Sequence, residues 1–186
     1  MVPALAADWA DTHCNKNPSV AVTSWTRGDA KSYAATAIGD GYDWGGGCWN
    51  SNGKDDTPAE DTYHNSVGEG PDCSGFTFKS WAMTKTGSDH KRRWELMTDE
   101  HGPYTADSFH DGAGPMTTMG FEPSYATTKK MDAFASSTHI GMIYSEGSGG
   151  SDQIIEAKDQ GTNVLVMTRT YRKTPGYVGV KRQNWG

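Results

Sequence analysis

Residues 71–76 read PDCSGF, and they open a longer stretch, DCSGFTFKSWAMTKTG (72–87), whose pattern predicts a helix. Asp72 is suited to the N-cap, Phe76, Phe78, Trp81 and Met83 supply the apolar weight, and Gly87 is the expected terminator. Gly75 costs such a helix about 1 kcal/mol relative to alanine. Cys73 then falls in the first turn. There the unpaired N–H groups and the helix macrodipole favour negative charge, so the thiol pKa is expected to fall. The same N–H groups can hold the oxyanion of a tetrahedral intermediate, and Ser74 with Gly75 keeps the approach to sulfur open. The plain alternative is a buried, inert cysteine.

A nucleophile needs a base, and the base needs an orienting partner. Of six histidines, His13, His64, His90, His101 and His110 lie in polar segments and read as solvated surface residues. His139 opens the alternating run HIGMIYS (139–145), which puts Ile140, Met142 and Tyr144 on one face and His139, Gly141 and Ile143 on the other. Glu156 interrupts the apolar run IIEA (154–157). Strand pairing across EGSGGSD (146–152) can set it beside His139.

Working outward, TSWTRGDAKSYAATAIGDG (23–41) predicts a helix from Arg27 to Ile38, capped by Thr26 and stopped at Gly39 or Gly41. YDWGGGCW (42–49) is a glycine-rich turn. Residues 50–71 are polar, broken by Gly and Pro, and read as a surface loop. Residues 88–115 suggest one short helix around Trp94 followed by loop. QIIEAK (153–158), NVLVMTRTY (163–171) and YVGVKR (177–182) continue the strand pattern to the C-terminus. The expectation is an α+β domain over 1–186, helices first and an antiparallel meander sheet after them, with 1–25 as an N-terminal extension.

Composition narrows the function classes. Hydrophobic residues make up 34%, but 23 Gly, 7 Trp and 8 Tyr point to a loop-rich globular chain with an aromatic core. A net charge of -6 with scattered Lys and Arg offers no basic stripe for nucleic acid. No apolar run approaches the roughly 20 residues of a membrane span. ALAA (4–7) resembles the surroundings of a secretory cleavage site, which points to a secreted or periplasmic protein with Met1 as an added start. Among three cysteines, Cys14 paired with Cys48 would leave Cys73 over and tie down the extension, contributing roughly 3–4 kcal/mol. Three reduced cysteines are the alternative.

The order YDWGG (42–46), DCSGF (72–76), HIGMIYSEG (139–147) and IIEA (154–157) resembles the NlpC/P-sixty family of cell-wall cysteine peptidases. That resemblance implies a papain-like fold and cleavage of peptidoglycan stem peptides, usually at the γ-D-glutamyl bond to the diamino acid. It implies Cys73 as nucleophile, His139 as general base, Tyr42 as an aromatic whose hydroxyl assists the oxyanion hole, and Asp72 as the acid before the nucleophile, with Ser74 beside it. MDAF (131–134) is similar to the strand that leads to the histidine, without its glycine. Glu156 stands where many members carry a second histidine, and a carboxylate there can accept from the imidazole N–H and fix its tautomer. The loops before and after DCSGF are longer than the family pattern and are expected to wall the substrate groove. A peptidoglycan or muropeptide substrate follows, with no cofactor and no metal, and an immunity protein or inhibitor as partner if the chain is an effector.

Three other readings compete. The same triad could serve an N-acetylmuramoyl amidase, or an acyltransferase or transglutaminase-like enzyme. A non-catalytic wall-binding module could stack sugars on Trp44, Trp49, Trp81 and Trp94. His90, Asp99, His101, Asp107, His110 and Asp111 could be metal ligands, but their spacing matches no compact set and reads better as solvated loop.

Overall fold

The computed structural model describes residues 25–57, 68–83, 101–112, 120–124 and 128–186. Cys14 and Trp94 lie outside them, and with them the expected Cys14–Cys48 bridge and the expected helix around Trp94.

Helix α1 (Arg27–Ala35) begins where the sequence predicts: Thr26 Oγ1 accepts from the Asp29 N–H, and the Asp29 carboxylate accepts from the Thr26 N–H. Ala30, Tyr33 and Ala34, at i, i+3 and i+4, form its buried stripe. It stops short of Ile38, because the Thr36 hydroxyl donates to the Tyr33 carbonyl and the chain tightens into turns.

Strands β1 (Gly47–Cys48) and β2 (Gly70–Pro71) pair antiparallel. The loop expected over 50–71 is exposed at 51–54, but 68–71 is buried and Glu69 fully so. The correction has a topological reason: β2 must dock on β1 to deliver the chain to Asp72.

Helix α2 (Cys73–Ser80) is capped by the Asp72 side chain, which accepts from the Gly75 N–H, and all eight of its residues are buried. Gly75 is present because two elements press on the helix there: an added Cβ would lie 2.3 Å from the Gly46 carbonyl oxygen and 3.2 Å from His101 Cδ2. The helix ends at Ser80, well before Gly87, as Ala82 turns left-handed at φ 48°. Its terminal carbonyls are taken by side chains: Trp25 Nε1 donates to Ser80 O at 3.0 Å and Arg182 Nε to Trp81 O at 2.6 Å. Trp81 Nε1 in turn donates to Met131 O at 2.8 Å, fixing the helix to the sheet. Truncating a tryptophan so placed would cost about 3–5 kcal/mol.

Helix α3 (Ala106–Asp111) forms where loop was expected, between a Thr105–Ser108 capping box and a left-handed Gly112. It is held by Phe109, whose ring lies 4.4 Å from Phe121, 5.7 Å from Tyr104 and 5.8 Å from Trp81. Trp81 and Trp49 are core residues, which removes them as sugar platforms; Trp44 alone of the described candidates is substantially exposed.

Strands β3 (Phe121–Ser124), β4 (Ala133–Ala135), β5 (Ile140–Ser145), β6 (Asp152–Glu156), β7 (Leu165–Arg169) and β8 (Val178–Arg182) form one sheet in the order β3-β8-β4-β5-β6-β7, every pair antiparallel. From β4 to β7 the chain runs as the expected meander. β8 departs from it, returning to pair with β4 and β3 instead of extending past β7. Its burial explains the choice: Val178, Gly179, Val180 and Arg182 are buried, whereas every residue of β7 is half-exposed or exposed. Ile140 and Met142 face the helices, while Ile143 joins Phe134 and Ile154 on the other face under Tyr171 and Tyr177. The whole is a mixed α/β molecule with few helices and antiparallel sheets, its buried α2 packed on β5.

Candidate active site

The site forms where the start of α2 meets the start of β5. Cys73 is the first residue of α2, 9% exposed, at the floor of a groove of about 350 Å³ shared with Tyr42, Trp44, Asp72, His101 and Thr138. Its sulfur has the backbone N–H groups of Cys73 and Ser74 from its own helix and of Ile140 from β5 as favourable neighbours. These do not prevail. Burial and then the Asp72 charge push the thiol up to about 12, against the expectation that a helix start would lower it. The helix contributes fixed dipoles, but the thiol is buried and has an anion beside it. At rest Cys73 is a thiol.

His139 precedes β5. Its Nε2 lies 2.8 Å from Glu156 Oε2, so the ring is fixed in orientation and Nδ1 is the nitrogen left for other work. Glu156 ends β6, on the same sheet face, and reaches His139 diagonally across the β5–β6 pair. Gly141 makes room: a Cβ there would lie 2.6 Å from Ile154 Cγ2 and 3.2 Å from Glu156 Oε2. No hydrogen bond joins Cys73 to His139 in this arrangement; β5 instead turns the backbone N–H of Ile140, the residue after His139, to the Cys73 sulfur.

Glu156 is fully buried and would be raised by burial alone. The hydrogen bond and charge of His139, joined by Arg169 and Tyr171, overcome that and hold its pKa below the ordinary carboxylate range. Arg169 Nε donates to Oε1 at 2.6 Å with Nη2 at 2.5 Å from the same oxygen, and the Tyr171 hydroxyl donates to Oε2 at 2.9 Å. The sequence singled out neither residue. Their signal was the segment TRTY (168–171), in which a cation and a phenol leave an otherwise apolar strand pattern.

Tyr42 is buried in the groove wall, and burial first, with Cys73 and the Asp72 charge as neighbours, raises its pKa, so it stays a phenol able to donate. Asp72 accepts from the N–H groups of Gly75 at 2.7 Å and Gly45 at 3.2 Å and from Ser74 Oγ at 3.0 Å. His101, expected on the surface, is instead part of the site: its Nε2 lies 2.9 Å from Asp72 Oδ2 and 2.8 Å from Ser74 Oγ. Among the described residues Asp107, His110 and Asp111 place their ligand atoms within 4.8 Å of one another on α3, apart from His101, while His90 and Asp99 lie outside the described residues.

No protein-family model matches the chain, and no curated protein matches it. Among solved structures it is similar to two of the Resuscitation Promoting Factor Interacting protein RipA, one mutated at a cysteine and the other at a histidine, at 20% identity with TM-scores of 0.45 and 0.46. Each match takes in 84% of this chain and 64% of the RipA chain, so this chain spans less than two thirds of the length of those structures.

Proposed function

We propose that the protein is a cysteine peptidase of the NlpC/P-sixty type, with a papain-like architecture, that hydrolyses amide bonds in peptidoglycan stem peptides. The bond favoured is that between γ-D-glutamate and the diamino acid, and the site of action is the cell wall, outside the cytoplasm. A Cys14–Cys48 bridge belongs to that proposal. The observation that carries it is a thiol at a helix start beside a strand whose leading histidine is locked to a buried carboxylate.

In the mechanism His139 Nδ1 takes the proton of the Cys73 thiol as sulfur bonds to the scissile carbonyl carbon. A thiol near 12 makes this proton transfer concurrent with attack rather than prior to it. The carbonyl oxygen becomes an oxyanion, for which the N–H groups of Cys73 and Ser74 are the nearest fixed donors and the Tyr42 hydroxyl a third. His139, now an imidazolium stabilised by Glu156, returns its proton to the departing amine as the C–N bond breaks. Water then gives a proton to His139 as its oxygen bonds to the thioester carbon; the C–S bond breaks, the acid product leaves, and His139 returns the proton to sulfur to restore the thiol.

The test is mass spectrometry of products from purified peptidoglycan and muropeptides, with wild type and Cys73→Ala in parallel. New stem-peptide fragments from the wild type alone support the reading, and their masses locate the bond. Untouched muropeptides in both samples remove the wall substrate. Products conjugated to an added amine would make the enzyme a transferase.

A further inference from the structure

The groove holds a second histidine that the mechanism above does not use. His101 Nδ1 lies 2.8 Å from the Gly102 carbonyl. A carbonyl only accepts, so Nδ1 carries a proton, and Nε2 is the atom turned to Asp72 Oδ2 at 2.9 Å and Ser74 Oγ at 2.8 Å. Ser74 Oγ also lies 3.0 Å from Asp72 Oδ1. The Nε2–Oδ2 contact at 2.9 Å needs a proton between its two atoms, and the Ser74 hydroxyl can turn as that proton comes and goes. With Nε2 bare it donates to the ring; with Nε2 protonated it turns to Oδ1 while the ring pairs with Oδ2. Such a three-membered arrangement is built to take up and release one proton.

Asp72 is the residue next to the nucleophile, and its charge opposes ionisation of Cys73. We infer that His101 is a positioning residue that, by taking a proton on Nε2, neutralises Asp72 and makes the Cys73 thiol easier to ionise. This rests on the reading of Cys73 as the nucleophile and adds to it a charge control separate from the base. The other groups facing the sulfur are the Tyr42 phenol from the glycine-rich turn and the Ile140 backbone N–H from the sheet. α3 and its cap bring only Thr105 and Ala106 to the groove, neither of which is charged.

The sign follows directly. Below the pH at which His101 loses its proton the pair with Asp72 is neutral and the thiol is easier to ionise; above it the Asp72 charge has no cation beside it in this cluster. A charge at this range shifts a neighbour by about one to three pKa units, and at one remove through Asp72 about one unit is expected.

The experiment measures the rate of iodoacetamide alkylation at Cys73, read by peptide mass spectrometry, from pH 6 to pH 9 in wild type, His101→Gln and His101→Lys. Wild type is expected to react about tenfold faster than His101→Gln at pH 6, with the gap closing toward pH 9. His101→Lys, whose charge persists, is expected to keep its lead over His101→Gln throughout and to overtake wild type at pH 9. A wild-type to His101→Gln ratio that does not change with pH, or a lysine variant no faster than the glutamine one, overturns the inference. Should His101→Gln not fold, the comparison of His101→Lys with wild type at pH 9 decides alone. Muropeptides left intact while the pH-dependent gap is present overturn the wall substrate only; cleavage without the gap overturns this inference only.

Discussion

Glu156 and Glu69 are both fully buried glutamates, and their protons behave in opposite ways. Glu69 is pushed up to about 7, by burial first and then by Asp40 and Asp56, despite the N–H groups of Asp56 and Asn50 that its oxygens accept. Glu156 faces the same loss of water but meets His139, Arg169 and Tyr171, and stays ionised. Burial alone therefore does not make a carboxylate an orienting partner. What decides is whether the site adds positive charge to its donors: Glu156 meets Arg169 and His139, whereas the neighbours that act on Glu69 are backbone N–H groups and two further carboxylates. The same contrast bears on the proposed reacting pair: burial and the Asp72 charge raise the Cys73 thiol, whereas an imidazolium on His139 would have Glu156 as its counter-charge. Charge appears where it can be held.

The largest expected break comes from changing each glutamate to its neutral amide. Glu156→Gln leaves Arg169 without its anion and presents His139 with a group that can donate as well as accept, so the tautomer is no longer fixed. Turnover of muropeptides is expected to fall by about 10³, with the fold retained. Glu69→Gln should leave turnover within about threefold. Comparable losses in the two variants would show that Glu156 does not orient the base.

Next in size is the pH dependence of stability, where the two carboxylates should oppose each other. Glu69 has a raised pKa, so the folded state holds its proton more tightly; stability is full below about 4.5 and declines as pH rises toward about 7. The whole decline is on the order of 3 kcal/mol. Glu156 has a lowered pKa, so its contribution is present above the ordinary glutamate value and is lost as pH falls through and below it. Urea unfolding midpoints from pH 3 to pH 8 should trace a dome with its top near pH 5. In Glu69→Gln the decline between pH 5 and pH 7 should disappear while the acid side remains; an unchanged decline would assign it to some other group.

How much of this was legible depends on how local the signal is. Asp72 as a cap and Cys73 in the first turn follow from spacing within a few residues, and the shared face of His139 and Glu156 from the pairing of two neighbouring strands; the structure places each there. The parts that escaped depend on folding at long range. His101 looks solvated in its own segment and reaches Asp72 because the neighbouring Gly102 packs on Phe78 of α2, whose ring lies 2.6 Å from where a Gly102 Cβ would stand. β8 has the same pattern as the other strands, and nothing in it says that it returns to β4. The thiol shift was misjudged because helix dipoles are visible in a sequence and desolvation is not.

A smaller effect sharpens the comparison from the sterics of Gly141. Gly141→Ala drives a methyl group to 2.6 Å from Ile154 Cγ2 and 3.2 Å from Glu156 Oε2, so β5 and β6 must part locally. Overpacking of this kind costs about 1–3 kcal/mol. Because the strain falls on the carboxylate itself, kcat should drop about tenfold or more with KM little changed, beyond what the loss of stability explains. Unchanged kcat in a destabilised variant would mean that the His139–Glu156 contact tolerates strand displacement.

The smallest expected effect isolates the donors from the charge. Tyr171 gives Glu156 Oε2 a single neutral hydrogen bond at 2.9 Å, and its own pKa is raised by burial and by the facing carboxylate, so it is a phenol at every pH of interest. Tyr171→Phe keeps the ring, which stacks on Tyr177 at 4.2 Å and meets His139 edge-on at 6.0 Å, and removes only the hydroxyl. One such bond is worth about 1 kcal/mol, so kcat should fall about fivefold. Glu156 should also protonate at a higher pH, moving the acid side of the stability dome upward. If Arg169 and His139 already satisfy the carboxylate, neither change will appear, and charge alone separates Glu156 from Glu69. A measurable shift in both would show that a neutral donor, held rigid by stacking, contributes to keeping a buried carboxylate ionised.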